Sequence, residues 1–201
     1  MPPHIIARKV SAPLMMIEDT PLPGLKILTP RRIEDPRGFF CESWNARRMA
    51  EAGLDYEFVQ DNHSVSAQRG TVRGLHYQAP PHAQGKLVRC GQGRLWDVAV
   101  DIRCTSPTYG QWFGLELSFA NGKQLMIPEG FLHGFVTLAD NTEIVYKCTN
   151  FYAPDADGTV HWDSCGIDWP LDGAPLISDK DAAAPDFASW TSPFVPDKVR
   201  K

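Results

Sequence analysis

The sequence predicts an all-β fold, a sandwich or a barrel, on three observations. Short segments with period-two alternation recur about ten times, most are followed by Gly, Pro, Asn or Asp, and one segment alone carries a full set of helix signals. Many short strands at this spacing mean two stacked sheets or a closed barrel. The clearest strand runs over 95–103, where Trp96, Val98, Val100 and Ile102 share one face and Leu95, Asp97, Ala99, Asp101 and Arg103 share the other. Its faces read as one apolar and one acidic. Further strands are expected, in order, at 25–28, 39–43, 57–66, 72–78, 86–90, 112–119, 124–127, 135–138, 143–149 and 159–163. A helix is expected at 46–52, capped by Asn45 and ended by Gly53, and a short second one at 179–184 before Pro185.

The 201 residues allow one domain or at most two small ones. No repeat or linker interrupts 25–170, so one domain is expected over 21–185, with a less patterned N-terminal arm over 1–20 and a C-terminal tail over 186–201. That arm is expected to hold a strand exchanged between subunits. The 16 glycines and 17 prolines exceed average usage modestly, which suits a fold rich in turns and not a disordered chain. A net charge of −4 argues against nucleic acid or a membrane surface as partner, since both are recruited by a basic excess. Any anionic ligand therefore needs a local cluster of basic residues. Five cysteines without CxxC spacing read as buried thiols of a reducing, cytoplasmic protein, and no apolar run is long enough to span a bilayer.

Polar residues inside strands are the candidates for chemistry, because a barrel interior has little room for them unless they bind something. Gln60, Asn62, Ser64 and Ser66 share one strand face, which is either a solvent face or an unusually polar interior. Arg73 and His76 are three apart, so a regular strand places them on opposite faces. Either Gly74 makes a bulge that re-aims one of them, or they serve different sites. His76 alone reads as a satisfied structural histidine or as a catalyst. Lys86 opens an apolar strand, His133 sits in a turn between glycines and aromatics, and Tyr146 shares a face with Ile144 and Cys148. Gly-x-His followed later by Pro-x-Gly-x-x-His is similar to the cupin superfamily, whose members often bind a metal. A second histidine would be needed two residues after His76, where Gln78 stands, and Lys86 close behind would oppose a divalent ion. No metal is expected.

Asp35-x-Arg-Gly-x-Phe40 with Glu42, Phe58-Val-Gln-Asp-Asn-x-Ser64, Arg73-Gly-Leu-His-Tyr-Gln78 and Gln84-Gly-Lys-Leu-Val88 are followed by Asp97-x-x-x-Asp-x-Arg103 and Ser106-Pro-Thr-x-Gly110. Ile127-Pro-x-Gly-Phe-x-His-Gly-Phe135, Tyr146-Lys147, Trp169-Pro170 and Ser178-x-Lys-Asp181 complete the series. In this order, from about residue 21 to 185, the segments resemble the dTDP-4-dehydrorhamnose 3,5-epimerases. The resemblance implies a cupin-like jelly roll, a homodimer, no cofactor, and inversion of C3 and C5 of dTDP-4-dehydro-6-deoxy-D-glucose. It implies His76 as base, Asp181 as the carboxylate that orients it, Tyr146 as proton donor on the opposite face and Lys86 near the ketone oxygen. Arg37, Arg73 and Lys180 would then be the basic cluster for the diphosphate, and Glu42, Gln60, Asn62 and His133 further substrate contacts. Phe151 falls where the family often has a tyrosine stacked on thymine, and Asp157 where it has a glutamate. Two alternatives remain: a mono-epimerase of another nucleotide deoxysugar, and a cupin that binds a sugar nucleotide without turning it over.

Overall fold

A computed structural model describes residues 13–195. The strands, in chain order, are β1 (Met15–Asp19), β2 (Lys26–Pro30), β3 (Ile33–Asp35), β4 (Gly38–Phe40), β5 (Gln60–Ser66), β6 (Val72–Gln78) and β7 (Lys86–Gln92). They continue as β8 (Arg94–Asp101), β9 (Trp112–Ser118), β10 (Gln124–Ile127), β11 (Phe131–Thr137), β12 (Thr142–Cys148) and β13 (Asp157–Thr159). The helices are α1 (Ala46–Glu51) and α2 (Asp179–Ala182). A six-stranded sheet, ordered β1-β2-β10-β7-β12-β5, faces a five-stranded one, ordered β13-β6-β11-β8-β9, and β3-β4 forms a separate hairpin. Two sheets with long crossovers between them make the jelly roll.

Apolar side chains from both sheets meet in the middle: Val88, Leu125 and Ile144 from one, Leu95, Leu117 and Phe131 from the other. The outer face of the five-stranded sheet is covered too. Val98, Val100, Ile102 and Leu132 pack against Val160, Ile167, Trp169, Phe187, Trp190 and Phe194. The chain after β13 therefore belongs to the fold well past residue 186, and Ser192 and Phe194 hydrogen-bond Ile102 and Cys104. On the far side, α1 lays Met49 over Leu28, Leu87 and Met126 of the six-stranded sheet.

This double covering corrects the reading of β8. The face carrying Asp97 and Asp101 turns into the barrel, and both carboxylates are 0% exposed. Asp101 takes hydrogen bonds from Arg103, Ser106 and Thr108, so its charge stays buried at tolerable cost. The segment around His133 is likewise no turn but the middle of β11. Cysteine burial is mixed: Cys90 and Cys148 are buried, Cys41 and Cys165 partly so, and Cys104 is exposed.

Local signals explain the helices. The Asn45 side chain accepts the Arg48 N–H, and Gly53 leaves α1 at φ +80°. β1 pairs with β2 of its own chain, while residues 1–12 of the expected arm lie outside the described residues. No helix among the described residues is long and apolar enough to cross a membrane.

The decisive irregularity sits in β6. Opposite β11, His76 pairs with His133 but Arg73 pairs with Phe135, so β6 carries one extra residue between them. Gly74, at φ +111°, absorbs it; a Cβ there would lie 2.6 Å from the His133 carbonyl oxygen and 2.7 Å from the Gly134 Cα. Only glycine fits. The bulge turns Arg73 and His76 toward one cavity, which settles the odd-spacing question in favour of a single site.

Candidate active site

A cavity of about 530 Å³ opens between the sheets beside the apolar core. The six-stranded sheet contributes Asn62, Ser64, Lys86 and Tyr146, and the five-stranded sheet Arg73, His76 and His133. The polar face of β5 thus points inward. A strap over 176–181 closes a third side and delivers Lys180 and Asp181.

His76 and Asp181 are 105 residues apart in sequence, yet Nε2 lies 2.7 Å from Oδ1. Asp181 is 4% exposed, and its other oxygen accepts the Gly74 N–H at 3.3 Å. Its place is fixed by the Ser178 hydroxyl, which caps α2 by accepting the Asp181 N–H. Burial by itself would raise the Asp181 carboxyl, but hydrogen bonds from His76 and from the Gly74 amide outweigh it and hold the group below its ordinary value. A charged carboxylate behind an imidazole orients the ring and stabilises the imidazolium formed when the ring takes a proton.

Tyr146 and Lys86 occupy the facing wall. Tyr146 stands opposite Asn62 of β5 and Val88 of β7, while Lys86 stands opposite Cys148, so the two side chains are diagonal neighbours on one face. Burial raises the Tyr146 phenol, offset in part by a hydrogen bond from Asn62, so the group keeps its proton at neutral pH. Burial lowers the Lys86 ammonium, offset in part by the nearby Cys148 and Asp157. Lys86 lines the cavity, so its charge is available to a ligand bound there.

His133 sits next to His76 across the β6–β11 ladder and is held by Asp97, 2.8 Å from its Nε2. Lys180 bridges the strap to β13 through Asp157 at 2.5 Å, and that bond raises its pKa. Both residues line the cavity, as does Arg73, whose Nε donates to Ser66.

Four of the expected residues lie elsewhere. Arg37 is on the exposed β3–β4 hairpin and pairs with Asp35 at 2.5 Å. Glu42 is engaged by Arg48 and Asn45. Gln60 sits just beyond the cavity lining, its carbonyl accepting the Tyr152 N–H. Phe151 is 65% exposed, and its neighbour Tyr152 faces the cavity instead. Asp97, Tyr152, Gln84 and Gln78 were not among the sequence candidates. Gln78, in the position where a metal-binding cupin would need a histidine, directs its amide to the backbone of residues 82, 151 and 153. Among the described residues no group of three His, Cys, Asp or Glu side chains is placed to hold a metal ion.

The site has the parts of a proton-transfer centre: an imidazole backed by carboxylate on one wall, a phenol and an ammonium on the other, and cations near the mouth. Comparison with known proteins agrees. The chain is 51% identical over 175 residues to the dTDP-4-dehydrorhamnose 3,5-epimerase of Salmonella typhimurium, covering 86% of this chain and 95% of that one. Its fold matches the dTDP-6-deoxy-D-glucose-3,5-epimerase of Legionella pneumophila, solved with dTDP-4-keto-L-rhamnose, at a TM-score of 0.86 and 45% identity over 90% of this chain and 97% of that one. The Bacillus anthracis dTDP-4-dehydrorhamnose 3,5-epimerase, solved with TDP and PPi, matches at a TM-score of 0.83 and 45% identity over 86% and 99%. Since the family profile of dTDP-4-dehydrorhamnose 3,5-epimerase also matches residues 19–189, most of the chain, this protein belongs to that family.

Proposed function

We propose that this cavity inverts C3 and C5 of dTDP-4-dehydro-6-deoxy-D-glucose to give dTDP-4-dehydro-L-rhamnose. Both carbons flank the C4 ketone, so loss of either proton yields an enolate whose negative charge rests on O4. The observation that carries the reading is the placement of two proton-transfer groups on opposing walls, His76 with Asp181 on one and Tyr146 on the other. His76 takes the proton and becomes imidazolium against Asp181. The Lys86 ammonium meets the charge growing on O4, where a partly desolvated site makes the attraction stronger than in water. Tyr146 delivers a proton to the opposite face of the carbon, inverting it, and recovers its own from solvent, to which the imidazolium gives up the proton it took before the second carbon is processed. Arg73 and Lys180 suit the diphosphate, and Asn62, His133, Asp157 and the aromatic pair Phe151–Tyr152 the rest of the ligand.

Turnover in D₂O followed by NMR of the product tests this. One deuterium is expected at each of C3 and C5. Incorporation at a single carbon would make the protein a mono-epimerase, and none at either carbon would reduce it to a binding protein.

The working form is proposed to be a cytoplasmic homodimer. The five cysteines, none in a disulfide, support a reducing compartment. Ile33, Phe39 and Phe40 of the β3–β4 hairpin are exposed apolar side chains on the same hairpin as Arg37. Arg37 lies outside its own cavity, so it serves a substrate only if the hairpin moves or meets the cavity of a second copy. Sedimentation equilibrium is expected to give twice the chain mass for the native protein and one chain mass for Phe40→Asp; a native monomer would end this reading.

A further inference from the structure

Residues 150–153, which carry Phe151 and Tyr152, form no strand or helix, so their backbone groups have no ladder to satisfy them. Three glutamine side chains, from β5, from β6 and from the loop before β7, do that instead. Gln84 Nε2 donates to the Asn150 carbonyl at 2.8 Å, and Gln78 Nε2 donates to the Phe151 carbonyl at 2.9 Å. The Gln60 carbonyl accepts the Tyr152 N–H at 2.9 Å, and the Gln78 carbonyl accepts the Ala153 N–H at 2.9 Å. Each of the four residues is thus gripped once, in order. Gln78, 3% exposed, supplies two of the four bonds and a further one to the His82 carbonyl.

The spacing gives this cradle a meaning beyond loop packing. Gln60 is two residues from Asn62, Gln78 two from His76, and Gln84 two from Lys86. On β5 and β6 a two-residue step keeps to one face, so the strands that aim Asn62 and His76 into the cavity also fix the loop. Gln84 does the same from the turn leading into Lys86. Resting on the epimerase reading, we infer that Gln78, with Gln60 and Gln84 beside it, is the positioning residue that sets the aromatic loop for the nucleoside end of the substrate, at a fixed distance from the proton-transfer groups. Neutral amides suit the task because they donate and accept without competing with Arg73 and Lys180 for the diphosphate. Acidic or basic side chains there would do one or the other.

The test compares ligands with and without a base. Gln78→Met preserves length and removes the donor and the acceptor. Calorimetric titration with dTDP is expected to show an affinity about tenfold weaker than the native protein, as for loss of two or three hydrogen bonds. KM for the sugar nucleotide should rise in parallel with kcat within about twofold, and affinity for inorganic pyrophosphate should not change. Where Gln78→Met fails to fold, Gln84→Met decides, with a loss of about threefold in dTDP affinity expected from its single bond. Native dTDP affinity in a folded variant overturns the inference, as does a loss that falls equally on pyrophosphate or mainly on kcat. A native protein without deuterium exchange would instead refute the epimerase reading, leaving the dTDP comparison to judge the cradle by itself.

Discussion

His76→Ala is expected to lower kcat by about 10²–10⁴-fold, the range a positioned general base contributes, while dTDP affinity stays within about threefold of native. The imidazole touches the sugar and not the nucleotide in this reading, and its partner Asp181 is supplied by a different part of the chain. Removing the ring deprives a nearly buried carboxylate of its imidazole donor and leaves it the Gly74 N–H, so a loss of stability of about 1–3 kcal/mol should accompany the kinetic effect. Thermal melting measures that loss, and the assay is run well below the transition so that kcat reports on folded enzyme. Deuterium exchange should stop at C3 and C5 together, since both protons leave from the same face toward one base. Turnover near the native rate would remove His76 from its role, and exchange lost at one carbon alone would require a second base.

Lys86→Met should separate activity from stability in the opposite way. Loss of a donor aimed at a developing oxyanion costs about 10²–10³-fold in kcat, and the same is expected here if the ammonium meets O4. Burial already disfavours the charged ammonium, which is why its pKa lies below the ordinary lysine value. A methionine of similar length relieves that penalty, so the melting temperature should stay level or rise. A variant that keeps its turnover to within about threefold would show that O4 is stabilised by other groups. A lower melting temperature would contradict the account of Lys86 as a strained cation.

The barrel was legible because alternation survives wherever one strand face meets the inner core, and β6 and β10 fall at the very residues where the alternation begins and ends. It failed where both faces are buried. β8 looked acidic on one side because nothing in its own sequence says that Arg103, Ser106 and Thr108 return to Asp101, or that His133 meets Asp97. The start of β11 was hidden by Gly130 and Gly134, which read as turn residues although Gly134 is the close-contact partner of the Gly74 bulge. β1 and the short β3 lacked a period long enough to register.

In the site, His76, Lys86, Tyr146 and Asp181 came from motif resemblance, and the fold gathers all four. Which of Phe151 and Tyr152 faces the cavity depends on how the loop backbone is pinned by Gln60 and Gln78, information held on distant strands. Arg37 and Glu42 were assigned by motif alone, and the single chain keeps both away from its own cavity.

The strap that carries Asp181 has a bearing on when the enzyme comes to life. The base lies in the first half of the chain and its carboxylate near the end, separated by 105 residues. During synthesis, any nascent chain that stops short of α2 has its imidazole, phenol and ammonium but nothing behind the imidazole. The segment after α2, with Phe187, Trp190 and Phe194 packed on the outer face of the five-stranded sheet, leaves the ribosome later still. Closing so long a loop is a late event in folding, because its entropy must be met by contacts already in place. The imidazole therefore gains its carboxylate partner only after the barrel strands that carry His76, Lys86 and Tyr146 have been made.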